Sequence, residues 1–379
     1  MAEEQGLQLN IKDKVYALIL AGGMGARIIQ TAFIRSLIKK RKLADNNYPI
    51  LVIDNTMIGQ MVSAALKNQN IHGVQVPEAH QSWPQDPRLW PMPNGAVEHP
   101  VFIDTWRKSF QNYGNVQSMN DLIAGNWSRT YSIEYGFSLT KDIHQHKLKN
   151  DKKSFIGHLY GKTMGLEYDD GPPMLKLSEE SNEVTKFIND RKKPYVLMHI
   201  GMDRNPQDYM AGINYKTFKL WSLNDWAMLV QKFKHKYNFV QVYAYQDNPE
   251  IPDVFSIKVD NLNPVLQMLQ SPKCKFFMSI DNYLAHLAAT IKKRGIVLWG
   301  SVSPYVWGWK ENENIWNRHS CDTIACWRPG LFDIDSNGKS WVCDHYSCMR
   351  SITVDQVSKA IYKLEANLET DKNKGEIVL

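Results

Sequence analysis

No stretch of this 379-residue chain reaches the roughly eighteen uninterrupted apolar residues of a membrane-spanning helix. The opening residues MAEEQGLQLNIKDK are acidic and polar, without the basic-then-apolar layout of a secretory signal, so a protein made in the reducing cytoplasm is expected. Charge of one sign is also scarce. Lys and Arg number 45 against 39 Asp and Glu, a formal balance of +6. Basic runs are short, KKRK from Lys39 to Lys42 and RKK from Arg191 to Lys193, and read as solvated helix ends or loops. No nucleic-acid partner is expected on that basis; an anionic substrate, or peripheral contact with an anionic membrane at the inner face, fits the balance equally well. Cysteine is rare at five residues, yet four of them fall between Cys321 and Cys348.

What is present is ample apolar material, 43% of a 43.7 kDa chain, more than one core usually serves. The first half alternates strand and helix: VYALILA, a helix to about Lys42, YPILVID, the helical TMIGQMVSAALKNQN and the short strand GVQVP. From Glu78 to Gly95 the chain is rich in Pro and Trp and reads as a long loop. After the charged NDRKKP the alternation restarts with YVLMHIG, LNDWAMLVQKFKHKY, FVQVYAY, NPVLQMLQS, KFFMSID, YLAHLAATIKK and GIVLWG. The fold class expected is α/β, two Rossmann-like doubly wound domains facing a central cleft. Their boundaries are read as 1–190 and 191–352, the second holding a Cys-rich segment at 319–348. An amphipathic helix and tail at 353–379 could brace the first domain. In such sheets ligands bind outside the carboxyl ends of the strands, here Gly22 to Gly25, Asp54, Gly201, Asp247, Asp281 and Gly300.

The stretch LILAGGMGARIIQTAFIRSL, Leu18 to Leu37, runs from strand through a glycine turn into helix. Gly22, Gly23 and Gly25 permit close backbone approach, and the first helical N–H groups point at whatever anion sits there. A diphosphate site and a plain glycine-rich turn both fit. As a dinucleotide fingerprint the stretch is imperfect: Ile28 stands where a small residue belongs, and Asp54 lies beyond the usual spacing of about twenty residues.

Several segments resemble glycosyltransferase family nine, the ADP-heptose heptosyltransferases of GT-B fold. They are HLYGKTMGLEYDDGPPMLKLS, YKTFKLW, SIDNYLAHLAATIKKRGIVLWGSVSPYVWG and CMRSITVDQV, and the likeness runs from Val15 to Ile361. Its most specific element is D-x-x-x-x-H-L-A-A at Asp281 to Ala289, followed by a strand and Gly300. The resemblance implies inverting transfer from a nucleotide-diphosphate sugar to a glycan or protein acceptor, as in lipopolysaccharide or glycan biosynthesis, with no cofactor for catalysis. The donor residues expected with it are Lys219, Trp221, Asp281, Asn282, His286, Gly300 and Ser301; the close-approach argument adds Gly22, Gly23 and Gly25, and Arg27 is a candidate cation for the diphosphate or for an acidic acceptor. Lys219 is then the cation that meets the leaving diphosphate, Asp281 faces the sugar hydroxyls and His286 lies near the diphosphate. Read without the family, Lys219 is a surface lysine, Asp281 a helix N-cap and His286 a core histidine.

The chain departs from that family. Ala26 follows Gly25 where an aspartate, thought to be the general base, is usual, and Asn282 and Tyr283 replace a small pair. The first loop is closer to the GGLGN loop of fucosyltransferases. A base must therefore come from elsewhere; Asp104, ending HPVFID, is named first and Asp54 second. The missing aspartate also leaves open a sugar-nucleotide-binding protein without turnover, and the glycine loop an NAD-dependent oxidoreductase.

Cys321 and Cys326, then Cys343 and Cys348, form two pairs with four residues inside each. That spacing permits a structural zinc or iron site, and equally four free buried thiols. A related branch, the autotransporter heptosyltransferases, carries a cysteine-bound iron in a comparable place, which adds to the metal reading.

Overall fold

The computed structural model describes residues 15–20, 24–45, 47–54, 56–75, 127–131, 151–157, 161, 166–201, 219–243, 250–320 and 347–373. They divide into two units, Met1–Ser178 and Glu179–Leu379.

In the first unit, β1 (Val15–Ile19) leads into α1 (Met24–Gln30), a 3-10 turn at Thr31–Phe33 and α2 (Ile34–Leu43). Ile28, Ile29, Phe33, Ile34 and Leu37 are buried at helical spacing, so the three pieces share one apolar face. β2 (Ile50–Asp54), α3 (Ile58–Ala65) and β3 (Ile71–Gln75) follow, and β4 (Trp127–Tyr131) completes a parallel sheet of order β3-β2-β1-β4. α3 lies close on its strands because Gly59 and Gly73 face each other: a Cβ on Gly59 would sit 2.7 Å from Val52 O, and one on Gly73 would collide with the backbone of Gly59 and Gln60.

Residues 166–178 strap this unit. Arg35 grips Asp169 through Nε (2.5 Å) and Nη2 (2.6 Å) and donates to Pro172 O, while Met174 N donates to Thr31 Oγ1 and Lys176 N to Met61 O. A short helix α4 (Lys152–Ile156), capped by Asp151, buries Phe155 and Ile156.

The second unit opens with α5 (Asn182–Asn189), capped by Ser181, and β5 (Tyr195–His199). α6 (Leu223–Phe233), β6 (Asn238–Tyr243), β7 (Val254–Lys258), α7 (Leu262–Gln270), β8 (Cys274–Ile280), α8 (Tyr283–Thr290), β9 (Gly295–Trp299), α9 (Pro304–Trp307) and β10 (Glu313–Trp316) follow. α10 (Ser347–Arg350) and α11 (Val354–Asn373) close the described chain. The sheet is wholly parallel with order β10-β9-β8-β5-β6-β7. Counted from β5 that is 3-2-1-4-5-6, the dinucleotide-fold order, and the winding reverses between β5 and β8.

Both faces of this sheet are covered. Val196, Met198, Phe276, Met278, Ile280, Ile296 and Leu298 alternate onto one side, where Trp226, Leu229 and Phe233 of α6 meet Val357, Ile361, Leu364 and Leu368 of α11. Tyr195 points the other way and donates from Oη to Met268 O of α7, 2.6 Å. The final helix thus spends its apolar face on the second unit. Polar ties hold it there, from Lys236 and Tyr237 to Glu365 and from Arg294 to Asp371. No helix among the described residues is long and apolar enough to cross a membrane.

Candidate functional site

Asp281 and Asn282 leave the end of β8 and His199 ends β5, so the reversal in winding brings them together. Asn282, with extended backbone, caps α8 by accepting from Leu284 N at 3.0 Å. Its amide nitrogen reaches back to His199, 2.9 Å from the carbonyl and 2.8 Å from Nδ1. An amide that donates to Nδ1 fixes the neutral ring as the Nε2–H tautomer. Tyr283 packs edge-on against the same ring, centroids 4.7 Å apart. The cap is therefore Asn282 rather than Asp281, which leaves the carboxylate of Asp281 to other work.

That carboxylate pairs with Lys219, Oδ2 to Nζ 2.6 Å, and the ammonium also lies 3.5 Å from Asp281 O. The Lys219 and Asp281 side chains are 24% and 11% exposed, so neither is a surface group. Trp221 follows two residues after Lys219: its indole is buried against Trp226 at 4.8 Å, edge to face, and its N–H donates to Ile352 O at 2.8 Å. Trp221, expected among donor contacts, is thus buried in the core.

His286 follows on the inward face of α8, 4% exposed, with Nδ1 accepting from Trp309 Nε1 at 3.0 Å and the Trp307 ring beside it. The core-histidine reading describes its burial. From β9, Gly300 O accepts from Trp316 Nε1 at 3.1 Å, and Ser301 Oγ is buried with no hydrogen-bond partner among the described residues. Ser279 Oγ, opposite His199 in the sheet register, is in the same condition. A Cβ on Gly201, just beyond β5, would meet open space. Lys219, Asp281, Asn282, Gly300 and Ser301 thus lie at or beside the carboxyl ends of β8 and β9, with the eight-residue α8 presenting its first amides there. His199 belongs to this group and was missed; the signal was a histidine as the last residue of an otherwise apolar strand.

The first unit holds a second set. Asp54, 2% exposed at the end of β2, accepts from Thr56 N (3.1 Å) and Thr56 Oγ1 on Oδ2 and from Gly59 N (3.2 Å) on Oδ1. Burial pushes its carboxyl up to about 6, against the pull of those donors and of the Arg27 guanidinium. Arg27 and Gly25 stand in α1, both half-buried. Cys348 is buried in α10, beside Met349. Gly22, Gly23, Asp104, Cys321, Cys326 and Cys343 lie outside the described residues, and so does the four-cysteine arrangement. Among the described residues no cluster of His, Cys, Asp or Glu is arranged to hold a metal ion.

No family model matches the chain, and no curated protein does. Solved structures do match in shape. A glycosyl transferase family 9 protein from Veillonella parvula superposes with a TM-score of 0.56 at 14% identity, over 93% of this chain and 97% of its own. The E. coli ADP-heptose lps heptosyltransferase II gives 0.51 at 10% identity, covering 94% and 99%. This is the GT-B fold. The dodecameric iron-containing heptosyltransferase TibC, solved with ADP-D-β-D-heptose, gives 0.52 at 16% identity, over 94% of this chain and 77% of its own. Two parallel α/β units in one chain are what the GT-B fold requires, and the expected fold class holds.

Proposed function

We propose that the protein is a glycosyltransferase that moves a sugar, of heptose type, from a nucleotide-diphosphate donor to a hydroxyl of a glycan or protein, with inversion and without a catalytic metal. The observation that carries this reading is the Lys219–Asp281 pair beside the first turn of α8, at the point where the winding of a GT-B sheet reverses. In such a transfer the acceptor oxygen attacks the anomeric carbon from one face. The bond to the diphosphate breaks on the other, and negative charge gathers on the departing phosphate. Fixed cations and amide dipoles must meet that charge where no metal does. Lys219 supplies the cation, the α8 amides supply dipoles and Asp281 accepts from sugar hydroxyls. Heptose and ADP are favoured because two of the neighbours in shape are described by them.

The acceptor proton needs a base. Both oxygens of Asp54 already accept from their own turn, which favours Asp104 for the role. Thermal shift against a panel of nucleotide sugars, followed by product analysis with the best binder, tests the reading. A donor-specific rise in melting temperature with sugar transfer, both weakened in Lys219→Ala, is the expected result; charge-assisted contacts of this kind are worth about 1.5–3 kcal/mol. Binding without any turnover would instead favour a sugar-nucleotide-binding protein.

A further inference from the structure

The ammonium of Lys219 already faces two oxygens of Asp281, Oδ2 of the carboxylate at 2.6 Å and the main-chain carbonyl at 3.5 Å. An anion site of simple design would leave its lysine to the ligand and keep carboxylates away. Here the carboxylate adjoins the capped start of α8, where incoming phosphate would also be favoured, and is itself only 11% exposed. We infer that Asp281 is the specificity residue by which the site tells a sugar nucleotide from a bare nucleoside diphosphate. The inference rests on the glycosyl-transfer reading above.

The argument is one of exchange. A bare diphosphate that takes Lys219 must draw it from Asp281 and then lie beside a largely buried carboxylate left without that cation, which is costly. A sugar nucleotide exchanges both partners at once: its phosphate takes the ammonium and its sugar hydroxyls donate to the carboxylate. The internal ion pair therefore lowers affinity for the product more than for the donor. Release of the nucleoside diphosphate after transfer is favoured by the same residue that holds the sugar before it.

Isothermal titration of the full chain with pyrophosphate, ADP, GDP and UDP, and with ADP-heptose, GDP-fucose and UDP-glucose, tests this directly. Asp281→Asn keeps the size of the side chain and frees Lys219. It should bind pyrophosphate and the matching nucleoside diphosphate on the order of ten-fold tighter than wild type, while the sugar nucleotide weakens. The gain should vanish when Lys219→Gln is added. Should the Asn variant lose its cooperative melting transition, Asp281→Ser makes the same comparison. Unchanged or weaker diphosphate binding in the variant, with the wild type still binding donor and transferring sugar, overturns the inference alone. A wild type that binds none of these ligands overturns it together with the transfer reading.

Discussion

The side-chain amide of Asn282 donates to both Nδ1 (2.8 Å) and the carbonyl oxygen (2.9 Å) of His199, tying the start of α8 to the end of β5. The tie crosses the one place in the second sheet where neighbouring strands lead to crossovers of opposite direction. It holds the residue after Asp281 from one side while the Lys219 pair holds Asp281 itself from the other. A small residue after the aspartate could not make the tie, even where it kept a capping oxygen.

Asn282→Ala should therefore cost more than an ordinary cap. Losing the cap is worth about 1 kcal/mol and the His199 bonds add a similar amount, so about 2 kcal/mol is expected in urea unfolding. Donor affinity should fall along with stability. Asn282→Ser, which keeps a capping oxygen but cannot reach as far, should recover the first loss and not the second. Equal donor affinity in all three proteins would show that the tie to His199 does not position the site.

The α/β alternation, most interior strands and the Asp281 to Ala289 element were legible because buried parallel strands are continuous apolar runs and the helices between them keep a 3.6 period. YVLMHIG, KFFMSID and GIVLWG became β5, β8 and β9. Of the strands not foreseen, β4 lies at an edge of the first sheet, and β7 and β10 lie at the two edges of the second. The side chains of β7 and β10 are half-buried or exposed, so VFSIK and ENIW carry no apolar run. The boundary between units fell at Ser178 because strap residues such as Asp169 and Met174 bond to α2 or to the turn before it, contacts that no local pattern announces. At the site, residue types were readable but their partners were not. That Asn282 caps and Asp281 pairs depends on which of two adjacent side chains faces the helix amides.

Gly73→Ala should unfold the first unit selectively. The added Cβ would collide with the backbone of Gly59 and Gln60, which cannot yield as a side-chain tip can. Overpacking of this kind costs about 1–3 kcal/mol or more. Hydrogen exchange would show protection lost across β1, β2 and β3 and kept in β5, β8 and β9. Uniform protection in the variant would mean that α3 can lift from its strands without cost.

Asp54 makes a prediction about pH. Its carboxyl is raised in the folded protein from an ordinary value near 3.8 to about 6, because burial disfavours the charge more than its donors favour it. A group raised on folding binds its proton more tightly in the native than in the unfolded chain. Its contribution is therefore full below about pH 4, and it is lost as pH rises through about 6, up to about 3 kcal/mol in all. The melting temperature of wild type minus that of Asp54→Asn should accordingly be greater at about pH 4.5 than at about pH 7.5. A difference that grows with pH would show that the charged form is the one the turn stabilises.

Trp221→Phe separates positioning from contact. Phenylalanine keeps most of the buried ring against Trp226 but removes the N–H that donates to Ile352 O, leaving that carbonyl without its partner. A loss of about 1–2 kcal/mol in stability is expected from the missing bond and the smaller ring. If the indole acts only by anchoring the chain, Lys219 should loosen its pairing with Asp281, and donor affinity should fall by a modest factor. Adding Lys219→Ala should then cost less in the Trp221→Phe background than in wild type, because both changes act through the same ammonium. Fully additive losses would mean that Trp221 touches the donor by a route of its own, and the burial of its indole would no longer account for its part in the site.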